Sequence, residues 1–308
     1  MAGRSGRRGR ARSAVSTARW TPRTAIDLAA SIARFVRYGA DLLGAVSNGY
    51  LYRTTSDGIP YRIRQMEDGG IEVETGADRH LEAAVEESRF RLGETLPRAP
   101  LEEVAGRVPA LADQLQRMPG YRIPLNPAGL EVLVSSICAQ QVNMRWAKTT
   151  MSRLIRRYGT EVELYGVQWW RVPGAETLAM ADPADSRGMQ YTTRKSGYIV
   201  GVAGAMAADQ LTGLEEDGNE TVIRRLVELR GVGRWTAEWF LARCLARPDV
   251  VPAGDLGVRK VVSRYVMGAE RGEVLPEPDV RAAVESWGDG GNWAVHLLLE
   301  RWAEEHAR

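Results

Sequence analysis

Two short stretches of this chain carry residue types that could do chemistry together. The first is Leu229-Arg230-Gly231-Val232-Gly233, which joins the end of one helical pattern to the start of the next. Two glycines separated by one apolar residue let the backbone approach a bulky anion closely. The N–H groups that open the following helix point outward, and the helix dipole favours negative charge there. That arrangement suits a phosphate, and it equally suits a plain corner between helices closed by a glycine C-cap. The second stretch is Pro252-Ala253-Gly254-Asp255-Leu256-Gly257. Asp255 stands immediately before the helical pattern of residues 256–267, where an aspartate commonly serves as N-cap. The positive helix end also favours its anionic form, and an anionic carboxylate is what a cation-like sugar transition state needs beside it. Capping and catalysis are compatible in one side chain.

The elements that must position these residues are mostly helical. Residues 25–38 have the apolar spacing of an amphipathic helix. Residues 49–55, 59–66 and 71–75 alternate or are rich in β-branched and aromatic types, and Asp57-Gly58 and Asp68-Gly69-Gly70 separate them; this predicts a three-stranded meander. A helix follows over 79–92. From about residue 100 the chain reads almost wholly as helices, at 127–139, 144–158, 194–209, 220–230, 234–246, 256–267, 277–286 and 293–306, punctuated by Gly and Pro. Asn143 is placed to cap the helix at 144. The expected fold is therefore mostly α with a small α+β N-terminal domain. Its parts are a basic tail over 1–19, an antiparallel sheet domain over 20–95 and a helical domain over 96–308.

Composition excludes several alternatives. The 308 residues are 44% hydrophobic and 26% charged, ordinary for a globular protein. No apolar run reaches the length of a membrane span, and the N-terminus lacks the apolar segment of a secretory signal; a cytoplasmic protein is expected. Cys138 and Cys244 are the only cysteines, in apolar helical contexts that predict buried small hydrophobes, and two thiols cannot hold an iron–sulfur cluster. His80, His296 and His306 form no ligand set. The net charge of +2 is uneven: residues 1–19 hold six arginines and no acid, leaving about −4 elsewhere (2 − 6). Such a tail reads as disordered, either a tether for phosphates or a solvated terminus. The charge of the body gives no argument for nucleic acid.

The glycine pair followed 22 residues later by Asp255 (255 − 233) resembles the helix-hairpin-helix DNA glycosylase superfamily, and within it the 3-methyladenine DNA glycosylase II family. Gly233-Arg234-Trp235-Thr236-Ala237-Glu238-Trp239 is similar to the family's hairpin-exit motif, and residues 252–257 to its catalytic loop. Leu133-Val134-Ser135-Ser136-Ile137-Cys138-Ala139-Gln140-Gln141-Val142 is similar to its helix-turn segment at the lesion. The resemblance spans roughly residues 20–308. It implies that Asp255 is the catalytic carboxylate and that Trp235 and Trp239 line the base pocket. It implies that amides around Gly231 and Gly233 grip a phosphate and that Gln141 fills the gap left by a flipped base, with Gln140 beside it and Arg234 on the DNA side. It also implies a cation, sodium or potassium or else magnesium or calcium, on the backbone carbonyls of Val227, Leu229 and Val232. No cofactor is required.

Two positions bear on the reaction. Lyase branches of the superfamily carry a lysine two residues after the second hairpin glycine; here that residue is Trp235, so covalent β-elimination lacks its amine. The family's C-terminal stacking tryptophan is replaced by a glycine within Ser286-Trp287-Gly288-Asp289-Gly290-Gly291-Asn292-Trp293, with Trp287 and Trp293 as substitutes from neighbouring turns. The expectation is a monofunctional hydrolase that flips alkylated purines from double-stranded DNA and releases them. The alternatives are a non-catalytic damage-binding protein and a glycosylase for deaminated or oxidised bases. Arg145, Lys148, Arg194 and Lys195 are candidate phosphate contacts, or simply solvated charges.

Overall fold

The computed structural model describes residues 15–37, 42–182, 184–185 and 188–306. The predicted basic tail lies outside the described residues up to position 14. Its last residues differ from expectation: Ser16–Trp20 is a strand, β1. The stretch is polar because only Ser16 and Trp20 are buried, so hydropathy gave no sign of it. Its backbone pairs antiparallel with β5 (Ile71–Thr75), and the Trp20 indole N–H donates to Ser88 Oγ at 2.9 Å.

The expected meander is the centre of a larger sheet. β3 (Tyr50–Thr54), β4 (Pro60–Gln65) and β5 pair antiparallel, and β2 (Ala45–Ser47) and β1 extend the two edges in the order β1-β5-β4-β3-β2. Helix α1 (Leu28–Arg37) precedes the meander and α2 (Leu81–Arg91) follows it. Trp20, Leu28, Leu51, Tyr61, Ile63, Ile71 and Val73 form the core of this layer.

Two further cores organise the helices. The first is built from α5 (Gly129–Ala139), α6 (Met144–Tyr158), α8 (Thr193–Ala207), α9 (Asn219–Val227) and α10 (Arg234–Arg243). The second joins α3 (Ala99–Ala105), α4 (Pro109–Arg117), α11 (Leu256–Tyr265), α12 (Glu277–Val284) and α13 (Gly291–Glu305). Both cysteines are free and buried, Cys138 and Cys244 in the first core, as their apolar surroundings predict. Asn143 caps α6, its side chain accepting from Trp146 N–H at 2.9 Å.

One element departs from the helical expectation. After α6 the chain forms a hairpin, β6 (Thr160–Leu164) and β7 (Val167–Arg171), before the short α7 (Ala175–Ala179). Tyr165 and Gly166 make its turn at φ 52° and 80°, the positive pair of a two-residue hairpin turn. Its Leu164 and Trp169 pack on Tyr52 of the N-terminal sheet, and the Trp169 indole N–H donates to Thr54 Oγ1 at 2.8 Å. Among the described residues no helix is long and apolar enough to cross a membrane.

Candidate active site

The two helical cores meet at Trp239. It is partly buried and packs against both, with its ring edge-on to His296 of α13 at 5.5 Å. The hairpin comes to this seam from the first core, between α9 and α10. Asp255 comes from the second, at the head of α11, whose Val258, Val261 and Val262 are buried there.

Asp255 has the N-cap geometry expected of it, with φ −70° and ψ 131°. Its Oδ1 accepts from Val258 N–H at 3.0 Å. Its Oδ2 accepts from the Trp235 indole N–H at 2.7 Å and the Trp239 indole N–H at 3.3 Å. An ionised carboxylate offers roughly four acceptor positions; three N–H donors occupy three and leave one for water. The side chain is only partly buried, so that water has access. Gly257 is part of this arrangement: a Cβ there would lie 2.9 Å from Asp255 Oδ1 and 3.3 Å from Leu299 Cδ2. Sequence reading missed Gly257 as a site residue; its position two after the aspartate, inside the first turn of the helix, was the available signal.

The tryptophans thus have a use that spacing did not reveal. They are on one face of α10, as residues four apart must be, and it is their N–H edges that hold the carboxylate. The ring of Trp239 also lies 5.4 Å from the Arg243 guanidinium carbon.

The two hairpin glycines differ in kind. Gly231 sits at φ 93°, and a Cβ on it would fall 2.1 Å from the Tyr198 ring, so glycine is needed there to fold. Gly233 is the exposed N-cap of α10 at φ −101°, and a Cβ on it would meet nothing within 4 Å. Folding places no demand on that side chain; open backbone N–H groups at a helix start are what remains.

Several expectations on charged and polar residues need correction. Arg234 is not an unpaired cation: its guanidinium is paired with Glu220 at 2.6 Å and with Glu238 at 3.0 Å. Gln140 does not project as a wedge either, since its Nε2 donates to Gly231 O at 2.8 Å. Gln141 alone is exposed, at φ 58°. Lys195 is not a free cation, because its Nζ donates to Cys138 O at 3.0 Å and Gln140 O at 2.7 Å. Burial holds this ammonium below the usual lysine range. Arg145 and Arg194 are exposed. Trp287 and Trp293 cannot substitute for a stacking tryptophan, being 5% and 0% exposed within the second core. Gly290, beside them, packs so closely that a Cβ would lie 2.6 Å from Pro100 O. The backbone of α3 closes that wall.

Comparison with known proteins gives the same frame. The family model described as "HhH-GPD superfamily base excision DNA repair protein" matches residues 134–277, which contain the Gln141 turn, the hairpin, both tryptophans and Asp255. A DNA-3-methyladenine glycosylase of Bacillus subtilis is 32% identical over 156 residues, 48% of this chain and 52% of that protein. The DNA-3-methyladenine glycosylase 2 of Escherichia coli is 24% identical over 187 residues, 61% of each chain. The chain thus spans about half the length of the first curated relatives it matches. A 3-methyladenine DNA glycosylase structure from Archaeoglobus fulgidus superposes with a TM-score of 0.80 at 25% identity, covering 93% of this chain and 98% of that one. Residues 134–277, with the helical architecture around them, are thus similar to the HhH-GPD superfamily and, within it, to proteins named DNA-3-methyladenine glycosylase.

Proposed function

We propose that this protein is a monofunctional DNA glycosylase that flips alkylated purines of the 3-methyladenine type out of double-stranded DNA and hydrolyses their N-glycosidic bond. The observation that carries this reading is Asp255, a partly exposed carboxylate held by three N–H donors beside the hairpin. The similarity to proteins named DNA-3-methyladenine glycosylase supports it.

The chemistry follows from the substrate's charge. An N3- or N7-alkylated purine is already cationic and departs as a neutral base, so no second carboxyl group is needed to protonate it, unlike the usual O-glycosidase pair. The barrier lies in the sugar, which becomes oxocarbenium-like. A carboxylate about 4 Å from that centre contributes roughly 4 kcal/mol at an effective dielectric near 20. The acceptor position left on Asp255 orients the attacking water. The buried target atom requires base flipping; Gln141 fills the vacancy, and the amides at Gly233 and the start of α10 grip the phosphate. Trp235 stands where lyase branches of the superfamily carry an amine, so the reaction ends at hydrolysis.

A cation at the hairpin belongs to the same reading. The Val227 carbonyl ends α9 at a residue 44% exposed. Leu229 O accepts from Val232 N–H at 3.0 Å and keeps a second lone pair. With Val232 O, these could hold a sodium, potassium, magnesium or calcium ion against the phosphate. The protein would work as a cytoplasmic monomer.

The test is release of free bases from methylated duplex DNA, comparing 3-methyladenine, 7-methylguanine, hypoxanthine and 8-oxoguanine. Release of the methylated purines, lost in Asp255→Asn with duplex binding retained, is expected. Binding without release by the wild-type chain would make it a damage-binding protein instead.

A further inference from the structure

The glutamine assigned to fill the vacancy sits on a turn that needs support. Gln141 is exposed and lies in the left-handed region, which side chains other than glycine, asparagine and aspartate seldom adopt. It follows the end of α5, whose last carbonyls have no helical partner. Lys195 of α8 supplies one: its Nζ donates to Cys138 O at 3.0 Å and to Gln140 O at 2.7 Å, placing positive charge at the negative end of α5. From the other side, Gln140 Nε2 donates to Gly231 O at 2.8 Å, in the hairpin itself. The same helix α8 braces Gly231 directly, since the Tyr198 ring occupies the space where a Gly231 Cβ would be. The Gln141 turn, α8 and the hairpin therefore form a closed ring of contacts.

Residue choice agrees with this geometry. The chain has 41 lysines and arginines, and only Lys148, Lys195 and Lys260 are lysines. A compact ammonium with three donors can serve two converging carbonyls, whereas the planar guanidinium fork suits carboxylates and phosphates.

We propose that Lys195 and Gln140 form a strut that fixes the separation between the Gln141 wedge and the phosphate-gripping hairpin, which makes Lys195 a positioning residue for base flipping. The proposal rests on the glycosylase reading above. With the strut intact, gripping the phosphate at the hairpin drives Gln141 into the stack. Without it, the hairpin still binds but the turn relaxes from its strained conformation, and the wedge no longer meets the vacancy.

Two duplexes separate this role from a merely structural one. Both carry a single 7-methylguanine, one opposite cytosine and the other opposite a tetrahydrofuran abasic analogue, where no pair has to be broken. Single-turnover release is measured with the wild-type chain, Lys195→Met and Gln140→Met, the last cutting the strut at its other end while leaving the Lys195 ammonium in place. Each variant should slow release from the cytosine duplex by about tenfold, the effect of losing a charge-assisted or buried hydrogen bond. Release from the analogue duplex should stay within about twofold, and half-saturating enzyme concentrations should change by less than about threefold. Equal slowing on both duplexes, or on neither, in the variant that retains the wild-type melting temperature would overturn the strut. Absence of release by the wild-type chain from either duplex would instead remove the enzyme reading, and the strut's role in flipping with it.

Discussion

Replacing Trp235 by phenylalanine separates two things a tryptophan can do at this site. The ring is kept, so stacking and cation–π attraction for a cationic base survive, reduced by less than about 1 kcal/mol. The N–H is lost, and with it the 2.7 Å hydrogen bond to Asp255 Oδ2. A hydrogen bond to a charged acceptor contributes about 1.5–3 kcal/mol, and each 1.36 kcal/mol in the barrier is about tenfold in rate. If that energy orients the carboxylate toward the sugar, Trp235→Phe lowers the single-turnover rate roughly 10- to 100-fold. Trp239, whose N–H is 3.3 Å from the same oxygen, holds less, and Trp239→Phe should cost only about three- to tenfold. The assay is release of 7-methylguanine from a duplex under enzyme excess, with rate and half-saturation measured separately. Half-saturation should barely move, because the lost contact acts on the transition state. A Trp235→Phe rate within twofold of wild type, alongside a slow Trp235→Ala, would refute the reasoning and return the tryptophan to a purely stacking role.

Other perturbations separate neighbouring residues by what they disturb. Gly231→Ala should lower stability by about 2–4 kcal/mol, from the left-handed backbone and the Tyr198 clash, whereas Gly233→Ala should cost less than about 1 kcal/mol yet weaken binding to duplexes of any sequence. Chemical denaturation and a salt-controlled binding titration decide between them, and equal destabilisation by both would contradict the distinction. Gly257→Ala puts a Cβ against Asp255 Oδ1; base release should fall about tenfold with the melting temperature nearly unchanged, and normal release would show that the carboxylate has room to move. Burial pushes the Cys138 thiol up to about 11 and the Cys244 thiol to about 12, while thiols of an unfolded chain ionise near about 8.5. The unfolded state loses those protons first, so this part of the stability is whole below about pH 8.5 and is lost as pH rises through about 11. The fall in thermal midpoint between about pH 9 and 11 should be shallower in Cys138→Ala; an identical slope in both proteins would count against it.

Placing the Asp255 carboxylate at a seam has a physical consequence. The hairpin belongs to one helical core and the helix that Asp255 caps to another, so the distance between hairpin and carboxylate is set by how the cores pack on Trp239. The indole N–H groups tie the two sides together at the reacting end. The glycines at 290 and 291 approach Pro100 and Val251 too closely to admit a Cβ.

Local patterns determined much of this protein. Apolar periodicity placed most of the helices to within a few residues, and α6 at both ends, though it gave no bounds for α3, α4 or α7. Asn143 and Asp255 could be read as caps because a cap acts within three residues of itself, and the glycine hairpin with its aspartate could be read because the motif is short and its spacing strict. What remained for the tertiary structure was every partner distant in sequence. Strand β1 is polar and is held by backbone pairing with β5, and the β6–β7 hairpin owes its place to Tyr52 and Thr54 of a sheet more than a hundred residues earlier. Which edge of Trp235 faces Asp255, which of two glutamines projects, and whether Lys195 and Arg234 are free or committed all depend on atoms supplied by other elements. A side chain's type limits what it can bond to; only the packing of one helix against the next decides what lies within 3 Å of it.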